Sequence, residues 1–267
     1  MFQVLLTTKT GDIQRSSDDA LTTVFAQWED PASKCINPSP IKALLETLSS
    51  QFSNQNEQDA HECLMVILST KDPPSVIQKL TSAFTGCFLS LVTCDLCFGI
   101  YESEEPFTCI EVDIPPSTTP TSLNQLLDKF QEEEIITLRR QRVCSLCKQI
   151  SSAVRKLSIP NTGEWLVFQI KRFMHVGNST CKNKRFVSYP LEDFLINDQS
   201  YDLYGLVSHF GSKEKGHYIA YIRSGMIWYK CDDSITSRVS RSVAAKCNNE
   251  VYLLFYKKQA KRSQPDL

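Results

Sequence analysis

Apolar residues at helical spacing dominate the first third of the chain. A helix start is predicted at Ser39-Pro40. Apolar positions then recur every three or four residues, at Ile41, Leu44, Leu45, Leu48 and Phe52. A second stripe with the same spacing comprises Ala60, Cys63, Leu64, Ile67 and Leu68. Each stripe predicts an amphipathic helix with a buried apolar side, and the second helix is expected to carry Asp59 and Glu62 on its polar side.

The middle of the chain contains a linker followed by one more helix. Residues 114–121 read Ile-Pro-Pro-Ser-Thr-Thr-Pro-Thr, which is typical of a linker. Ser122 and Gln125 have the spacing of a capping box. The apolar stripe of the helix that follows comprises Leu123, Leu126, Leu127 and Phe130.

Strand patterns take over from Trp165 onward. Runs rich in aromatic and β-branched residues occupy positions 165–173, 204–209, 217–223 and 251–256. Gly211 and Gly216 bracket a loop between the second and third of these runs, and Gly225 marks the turn after the third. Helices followed by strands predict an α+β fold. Residues 257–267 are polar and are expected to be frayed.

Composition narrows the class of protein. The chain has 267 residues, 42% of them hydrophobic, and a net charge of −1, which is typical of one large domain or two small ones. It contains no apolar run near 18 residues and no basic segment before a secretory core, so neither membrane insertion nor export is indicated. The near-neutral charge and the lack of a dense basic stripe argue against nucleic-acid binding.

Cysteine spacing gives the first chemical signal. The chain has eleven cysteines, and four of them form two Cys-x-x-Cys pairs: Cys94 with Cys97, and Cys144 with Cys147. Four such thiolates suit one tetrahedral structural zinc ion, which leaves no open position for water. A redox pair, two disulfides or plain thiols are the alternatives. Two pairs in a chain without an export signal favour zinc, and the odd count favours a reducing compartment, cytoplasmic and/or nuclear.

The second signal is a histidine near the carboxyl end. His217 opens a predicted strand at the mouth of a loop, and Asp232 and Asp233 follow fifteen residues later. A neutral imidazole takes a proton from a thiol or hydroxyl, while an aspartate behind it fixes the tautomer. In the simpler interpretation, His217 is a half-exposed strand residue and the two aspartates are turn residues. The surrounding strands favour the first interpretation, because a rigid sheet would present the imidazole.

These motifs resemble the ubiquitin-specific proteases, which are papain-like cysteine isopeptidases. Residues 203–256 contain Gly-His-Tyr, Trp-Tyr-x-x-Asp-Asp-Ser and Tyr-Leu-Leu-Phe-Tyr, and they resemble the histidine box of that family. Residues 165–173 and 184–191 resemble its palm strand and the strand after it. Residues 57–64 resemble its Gln-Gln-Asp-Ala-His-Glu-Phe-Leu helix, with Glu57 and Cys63 as departures. In family members the position of Glu57 lies near the substrate tail.

The resemblance implies a papain-like α+β fold of the ubiquitin-specific protease type. A catalytic domain over residues 1–258 would comprise a helical thumb (1–84), zinc-bearing fingers (85–157) and a β-sheet palm (158–258), before a polar tail (259–267). The implied function is a deubiquitinase that cleaves the isopeptide bond after ubiquitin's carboxyl-terminal glycine by thiol chemistry. Its implied partners are ubiquitin and ubiquitinated proteins, with no nucleic acid and no membrane.

The resemblance also implies roles for individual residues. His217 would be the general base, Asp232 would orient it, and Asp233 would rank second as a polar support. Gln58, Asp59 and Glu62 would face the cleft and bind ubiquitin. The acidic pair would form charge-assisted hydrogen bonds with the arginines of ubiquitin's tail.

The family's nucleophile is missing from the sequence. No Asn-Thr-Cys-Tyr/Phe-like run is present, and the cysteine box would have to lie upstream of Met1, so the sequence predicts an amino-terminally truncated catalytic domain. Cys231 adjoins Asp232 on the same strand, so its side chain is expected to point to the opposite side of the sheet. Cys63 belongs to the apolar face of a helix, so neither cysteine is a good replacement. The alternative function is therefore an inactive ubiquitin-binding pseudoenzyme or fragment. A zinc-ribbon nucleic-acid module is a third hypothesis, disfavoured by the charge.

Overall fold

The computed structural model describes residues 20–29, 37–54, 56–70, 75–117, 119–137, 143–177, 179–213 and 215–260. Much of the predicted thumb remainder, Cys35 and the predicted frayed residues 261–267 lie outside these ranges. Within the described ranges, no helix combines the length and the apolar composition that crossing a bilayer requires.

Helices precede the first strand, as the apolar spacing predicts. They are α1 (Ala20–Glu29), α2 (Ser39–Leu48), a 3-10 helix (Ser50–Ser53), α3 (Ala60–Leu68) and α4 (Ser75–Phe84). Helix α2 ends at Leu48, so Phe52 belongs to the 3-10 turn, where it is still buried. The placement of Asp59 on the face of the second helix is wrong. Asp59 is the residue before α3, and its carboxylate accepts hydrogen bonds from the His61 and Glu62 amides.

The rest of the described chain is mainly β-structure. Its elements are β1 (Gly86–Cys94), β2 (Ile100–Phe107), β3 (Ile110–Asp113), β4 (Thr121–Ser122), α5 (Leu123–Phe130), β5 (Glu134–Ile136), β6 (Ala153–Asn161), β7 (Trp165–Lys171), β8 (Phe173–Val176), β9 (Ser179–Lys182), β10 (Val187–Ser188), β11 (Phe194–Ile196), β12 (Gln199–Gly211), β13 (Gly216–Ser224), β14 (Ile227–Asp232), β15 (Ile235–Val239), α6 (Arg241–Ala244) and β16 (Val251–Lys258). Ser122 and Gln125 form the predicted capping box at the start of α5. The predicted strand over 184–191 is reduced to the two residues of β10.

A large sheet forms the centre of the described fold. Its strand order is β15-β14-β13-β12-β16-β7-β3, with β11 paired to β12. All its pairs are antiparallel except β3 with β7. Gly211 lies opposite Gly216 at the end of the β12–β13 hairpin, and Gly225 adopts a left-handed conformation in the turn before β14. The α+β prediction is therefore confirmed.

Hydrophobic cores cover both faces of this sheet. Trp165 and Val167 of β7 pack with α1–α4 in one core, while Leu166 and Phe168 pack with α5 in the other. This explains why the sequence of β7 is apolar at consecutive positions rather than at alternate ones. The strands that carry the candidate site are thus held on a sheet covered on both sides.

A second sheet has the strand order β2-β1-β6-β5. It carries the two Cys-x-x-Cys pairs at one end, because Cys94 closes β1 and Ala153 pairs with it from β6. The proposed limit between fingers and palm, at residues 157 and 158, falls inside β6. β3 lies within 85–157 but belongs to the large sheet.

Arg172 is a fully buried cation whose hydrogen bonds join chain segments next to the large sheet. Its guanidinium donates to four backbone carbonyls, those of Val251 (2.6 Å), Asn248 (2.7 Å), Arg185 (2.9 Å) and Asn183 (3.0 Å). Burial lowers the pKa of Arg172 to about 10, which leaves it charged at neutral pH.

Replacing Arg172 with methionine is expected to lower the free energy of unfolding by about 3–5 kcal/mol, because buried carbonyls would lose their donor. Arg241 is a matched control, since it is exposed and pairs with Glu192 at 3.0 Å. Arg241→Met should lower the free energy of unfolding by less than about 1 kcal/mol. Denaturant unfolding measures both values. Equal losses in the two variants would contradict this account of Arg172.

Candidate active site and candidate metal centre

A glycine-bounded hairpin presents His217. The residue is the second of β13 and lies opposite Phe210 of β12. In the loop, the Ser212 amide donates to the Lys215 carbonyl at 2.8 Å. A Cβ atom on Gly216 would lie 2.0 Å from Nε2 of His209, so only glycine fits there. The His217 side chain is 45% exposed, which leaves it accessible to a reacting group.

His217 and Asp232 are hydrogen-bonded to each other. Nε2 of His217 lies 2.6 Å from Oδ1 of Asp232, the last residue of β14. The other oxygen of Asp232 accepts from Nζ of Lys230 at 2.8 Å. The hydrogen bonds from Lys230 and His217 lower the pKa of Asp232, so it is a carboxylate at neutral pH.

This arrangement fixes the tautomer of the neutral imidazole. A carboxylate only accepts, so Nε2 carries the proton and Nδ1 carries the lone pair. Nδ1 is therefore the atom of His217 that can take a proton from a thiol.

Asp233 lies in the turn after Asp232. It adopts a left-handed conformation with φ of 50° and is exposed. Ligand atoms of His217, Asp232 and Asp233 lie within 4.8 Å of one another, which is close enough for a cation. However, His217 and Asp232 already satisfy each other by a hydrogen bond. The geometry favours an acid–base pair with Asp233 beside it.

The predicted ubiquitin-binding residues have different surroundings. Oδ2 of Asp59 accepts from the Tyr252 hydroxyl at 2.6 Å, while its Oδ1 caps α3. The carboxylate of Asp59 is thus bonded within the protein. Glu62 is exposed, and the amide of Gln58 donates to the Asn54 side chain at 3.0 Å.

Glu57 makes a contact that sequence reasoning missed. Its Oε2 accepts from the Gly216 amide at 2.6 Å, across 159 positions of sequence. The sequence analysis treated Glu57 only as a departure from the family pattern. No local pattern signals a bond between segments so far apart.

The two alternative cysteines are poorly suited to attack. Cys63 is buried, and burial raises its pKa to about 12, which disfavours the thiolate. Cys231 packs against the core on the α1–α4 side of the sheet.

A cleft lies between the second sheet and the edge of the large sheet. Its volume is about 600 Å³. Five carboxylates line it, those of Glu111, Asp113, Glu132, Glu133 and Glu134. Three cations, Lys129, Arg155 and Lys171, line it as well. The excess of carboxylates makes the cleft suited to a basic surface.

The four cysteines of the Cys-x-x-Cys pairs come together. Their sulfur atoms all lie within 4.8 Å of one another, and those of Cys97 and Cys144 are 3.8 Å apart. The two turns share one backbone geometry. In each turn the residue directly after the second cysteine adopts a left-handed conformation, with φ of 56° at Phe98 and 61° at Lys148. Its backbone amide donates to the carbonyl of the first cysteine of that pair. Four converging sulfurs can hold a metal ion.

Hydrogen bonds favour the thiolate at two of the four cysteines, Cys94 and Cys144, whereas desolvation and the neighbouring sulfurs raise the pKa of Cys97 to about 11. The Ser151 hydroxyl, 3.1 Å from Sγ of Cys94, and the amides of Cys97 and Leu96 lower the pKa of Cys94 to about 6. The amides of Cys147 and Leu146 lower the pKa of Cys144. Thiolates are the form that binds metal, so the residues present fit the predicted zinc.

Comparison with known proteins identifies relatives of the whole described fold. The model of the family "Ubiquitin carboxyl-terminal hydrolase" matches residues 3–256. Ubiquitin carboxyl-terminal hydrolase 22 of Bos taurus is 28% identical over 83% of this chain, and ubiquitin carboxyl-terminal hydrolase 22-B of Xenopus laevis is 27% identical over 90%. The matches cover 54% and 57% of those relatives, so the chain spans about half their length.

Solved structures show the same fold. The SAGA DUB module of Ubp8, Sgf11, Sus1 and Sgf73 bound to monoubiquitin contains a chain with a TM-score of 0.73 and 26% identity, covering 91% of this chain and 60% of that one. The same module bound to ubiquitin aldehyde gives a TM-score of 0.72 and 25% identity, covering 92% and 61%. The papain-like fold expected from the sequence motifs is therefore confirmed.

Proposed function

This chain belongs to the ubiquitin carboxyl-terminal hydrolase family, and we propose that a form of the protein that carries the family's nucleophilic cysteine is a thiol-dependent deubiquitinase. It would hydrolyse the isopeptide bond after ubiquitin's carboxyl-terminal glycine and so release ubiquitin from proteins. The observation that carries this proposal is the 2.6 Å hydrogen bond between His217 and an ionised Asp232 at the mouth of a hairpin.

The proposed chemistry uses His217 as general base. Its Nδ1 takes the proton of a cysteine thiol, and the thiolate attacks the carbonyl carbon of ubiquitin's last glycine. The same imidazole then gives the proton to the departing amine of the substrate lysine. Asp232 holds the ring and stabilises the imidazolium, and Asp233 supports the site as a second polar group. A water molecule finally hydrolyses the thioester, again with His217 as base.

A second candidate function is ubiquitin binding without hydrolysis by residues 1–267. None of the eleven cysteines lies in an Asn-Thr-Cys-Tyr/Phe-like run, and Cys63 is held as a thiol by burial. In this second function the same residues would bind ubiquitin, but no thiolate would attack the carbonyl carbon of its last glycine. The two functions differ in one measurable step, which is thioester formation.

We propose that ubiquitin's tail lies between α3 and the His217 hairpin. Glu62 is exposed there and is the carboxylate best placed to pair with a tail arginine. Gln58 would offer its amide, while Asp59 would act by holding α3 in place through Tyr252. A basic patch on the surface of ubiquitin's globular body would contact the acidic cleft between the two sheets.

We propose that Cys94, Cys97, Cys144 and Cys147 hold one structural zinc ion. When bound, zinc would join the two turns at the end of the second sheet, and four sulfur ligands would give it no hydrolytic role. Ten described cysteines are free of disulfides, which suits a reducing compartment such as the cytoplasm or the nucleus.

A ubiquitin vinyl probe separates the two candidate functions. A form of the protein that carries the family's cysteine should hydrolyse a fluorogenic ubiquitin amide and form a covalent adduct with the probe. The chain of residues 1–267 should bind ubiquitin without forming the adduct, which intact mass spectrometry measures. The cysteine-bearing form pretreated with iodoacetamide is the control and should lose both reactions. An adduct on the 267-residue chain would show that one of its own cysteines attacks.

A further inference from the structure

The backbone amide of Gly216 donates a hydrogen bond to the side chain of Glu57, which lies 159 positions earlier in the sequence. Glu57 precedes α3, and its Oε2 accepts from the Gly216 amide at 2.6 Å. Gly216 is the residue immediately before His217. The contact therefore ties the helical part of the protein to the start of the strand that carries the proposed base.

The turn that carries Glu57 is fixed on both sides. Oδ1 of Asn54 accepts from the backbone amide of Asn56 at 2.9 Å and from the side-chain amide of Gln58 at 3.0 Å. After the turn, Asp59 caps α3 and accepts from the Tyr252 hydroxyl of β16. Glu57 is thus presented by a short segment with its own anchors, and not by a free loop.

Gly216 is fixed on its other side by a buried imidazole. The position that a Cβ atom of Gly216 would take lies 2.0 Å from Nε2 of His209. The His209 ring packs against Phe173 and Tyr218, with centroid distances of 5.2 and 4.7 Å. The backbone carbonyl of His209 accepts from the ammonium group of Lys182, which also contacts Glu250. Gly216 therefore sits between the Glu57 carboxylate and a packed ring.

We propose that Glu57 is a positioning residue for His217. It fixes the backbone of Gly216 and so keeps Nε2 of His217 within hydrogen-bond distance of Asp232. The role in catalysis rests on the proposed function, but the positioning itself is a property of the free protein. Glu57 bonds to the Gly216 amide, so in this role it acts through His217 and does not touch the reacting atoms.

The charge of Glu57 matters to this role. A backbone amide bonds more strongly to a carboxylate than to a neutral oxygen. Glutamine keeps an oxygen acceptor at the same reach, while alanine has none. The series glutamate, glutamine, alanine should therefore weaken the hold on Gly216 in two steps.

Amide hydrogen exchange of the 267-residue chain tests the proposal directly. In Glu57→Ala the Gly216 amide should exchange about tenfold faster than in the unchanged chain, and in Glu57→Gln it should exchange at an intermediate rate. The ring nitrogen shifts of His217 should show a smaller share of the Nε2–H tautomer in Glu57→Ala, restored for the most part in Glu57→Gln. Glu46→Ala is the control, because Glu46 is paired only within its own helix with Lys42 at 3.8 Å among the contacts described.

The outcomes separate the proposal from its alternatives. Unchanged Gly216 exchange in a folded Glu57→Ala would overturn it, and lower ubiquitin affinity in that same variant would assign Glu57 to the substrate instead. A uniform rise in exchange over the whole sheet would overturn it in favour of a general structural role. If Glu57→Ala does not fold, the Gly216 rate in Glu57→Gln decides alone. The exchange and tautomer measurements need neither ubiquitin nor turnover, so they test the positioning role even if the proposed function is wrong.

Discussion

Replacing His217 with alanine is expected to lower kcat on a fluorogenic ubiquitin amide by about 10⁴-fold or more, in a form of the protein that carries the family's cysteine. Loss of the histidine from a serine protease triad costs roughly a million-fold. A thiol is more acidic than a serine hydroxyl, so part of the thiolate would persist without a base and the expected loss is smaller. Initial rates at saturating substrate measure the change.

Structure around His217 predicts that this loss falls on kcat. The imidazole is 45% exposed and bonded to Asp232, and among the described residues it is not part of either hydrophobic core. Ubiquitin affinity and the thermal unfolding midpoint of His217→Ala should therefore stay near those of the unchanged protein. Glu46→Ala, on α2 and paired with Lys42 of the same helix at 3.8 Å, is the control and should change kcat by less than about twofold. Retained turnover in His217→Ala would refute the assignment of the base.

Asp232 has a more limited expected role in the same reaction. It touches the ring from behind and is itself held by Lys230. The sequence predicted this pair from its resemblance to the histidine box, because spacing alone left the interpretation as a strand residue and two turn residues open. In the β13–β14 hairpin Cys231 lies opposite Ala220, so His217 and Asp232 meet diagonally across the two strands and not directly opposite each other.

Several parts of the fold were predictable because they depend on residues that are close together in the sequence. The capping box of Ser122 and Gln125 depends on residues three positions apart, and Gly211 and Gly216 had to close a hairpin. The run rich in aromatic and β-branched residues that begins at Trp165 predicted the strand β7. Such features depend on near neighbours, whose geometry the sequence pattern largely determines.

Sequence reasoning failed where distant segments meet. Asp59 was expected on the helix face, but the Tyr252 hydroxyl from β16 and the first amides of α3 use both its oxygens. Glu57 bonds to Gly216 across 159 positions. Arg172 collects carbonyls from three segments. Each of these contacts is decided by how the helices and the large sheet pack, and periodicity carries no information on that.

Removal of metal is expected to unfold the second sheet while the large sheet stays folded. Structural zinc contributes on the order of 10–16 kcal/mol in small finger peptides, which exceeds the stability of most domains. Without it, the four sulfur atoms would lose the ion that joins them at the end of β1 and β6. The large sheet is held by two hydrophobic cores that contain none of the four cysteines, and Phe107 of β2 and Ile159 of β6 anchor the far end of the second sheet in one of them.

Hydrogen exchange after treatment with a strong chelator measures this difference strand by strand. Amides of β1, β2, β5 and β6 should lose most of their protection, while those of β12, β13 and β16 should keep it. Metal content by mass spectrometry should fall from about one zinc per chain to none.

Single cysteine substitutions make the same test without a chelator. Cys94→Ser removes a buried sulfur that has a lowered pKa, so it should abolish stoichiometric zinc and reproduce the exchange pattern of the chelated protein. Cys181→Ser is the matched control, because Cys181 is exposed on β9 and lies outside the four-sulfur group. It should keep zinc and protection. If Cys94→Ser holds zinc as tightly as the unchanged chain, the four sulfurs are not its ligands, and the second sheet must be stabilised by its strand pairs and by Phe107 and Ile159 in the hydrophobic core.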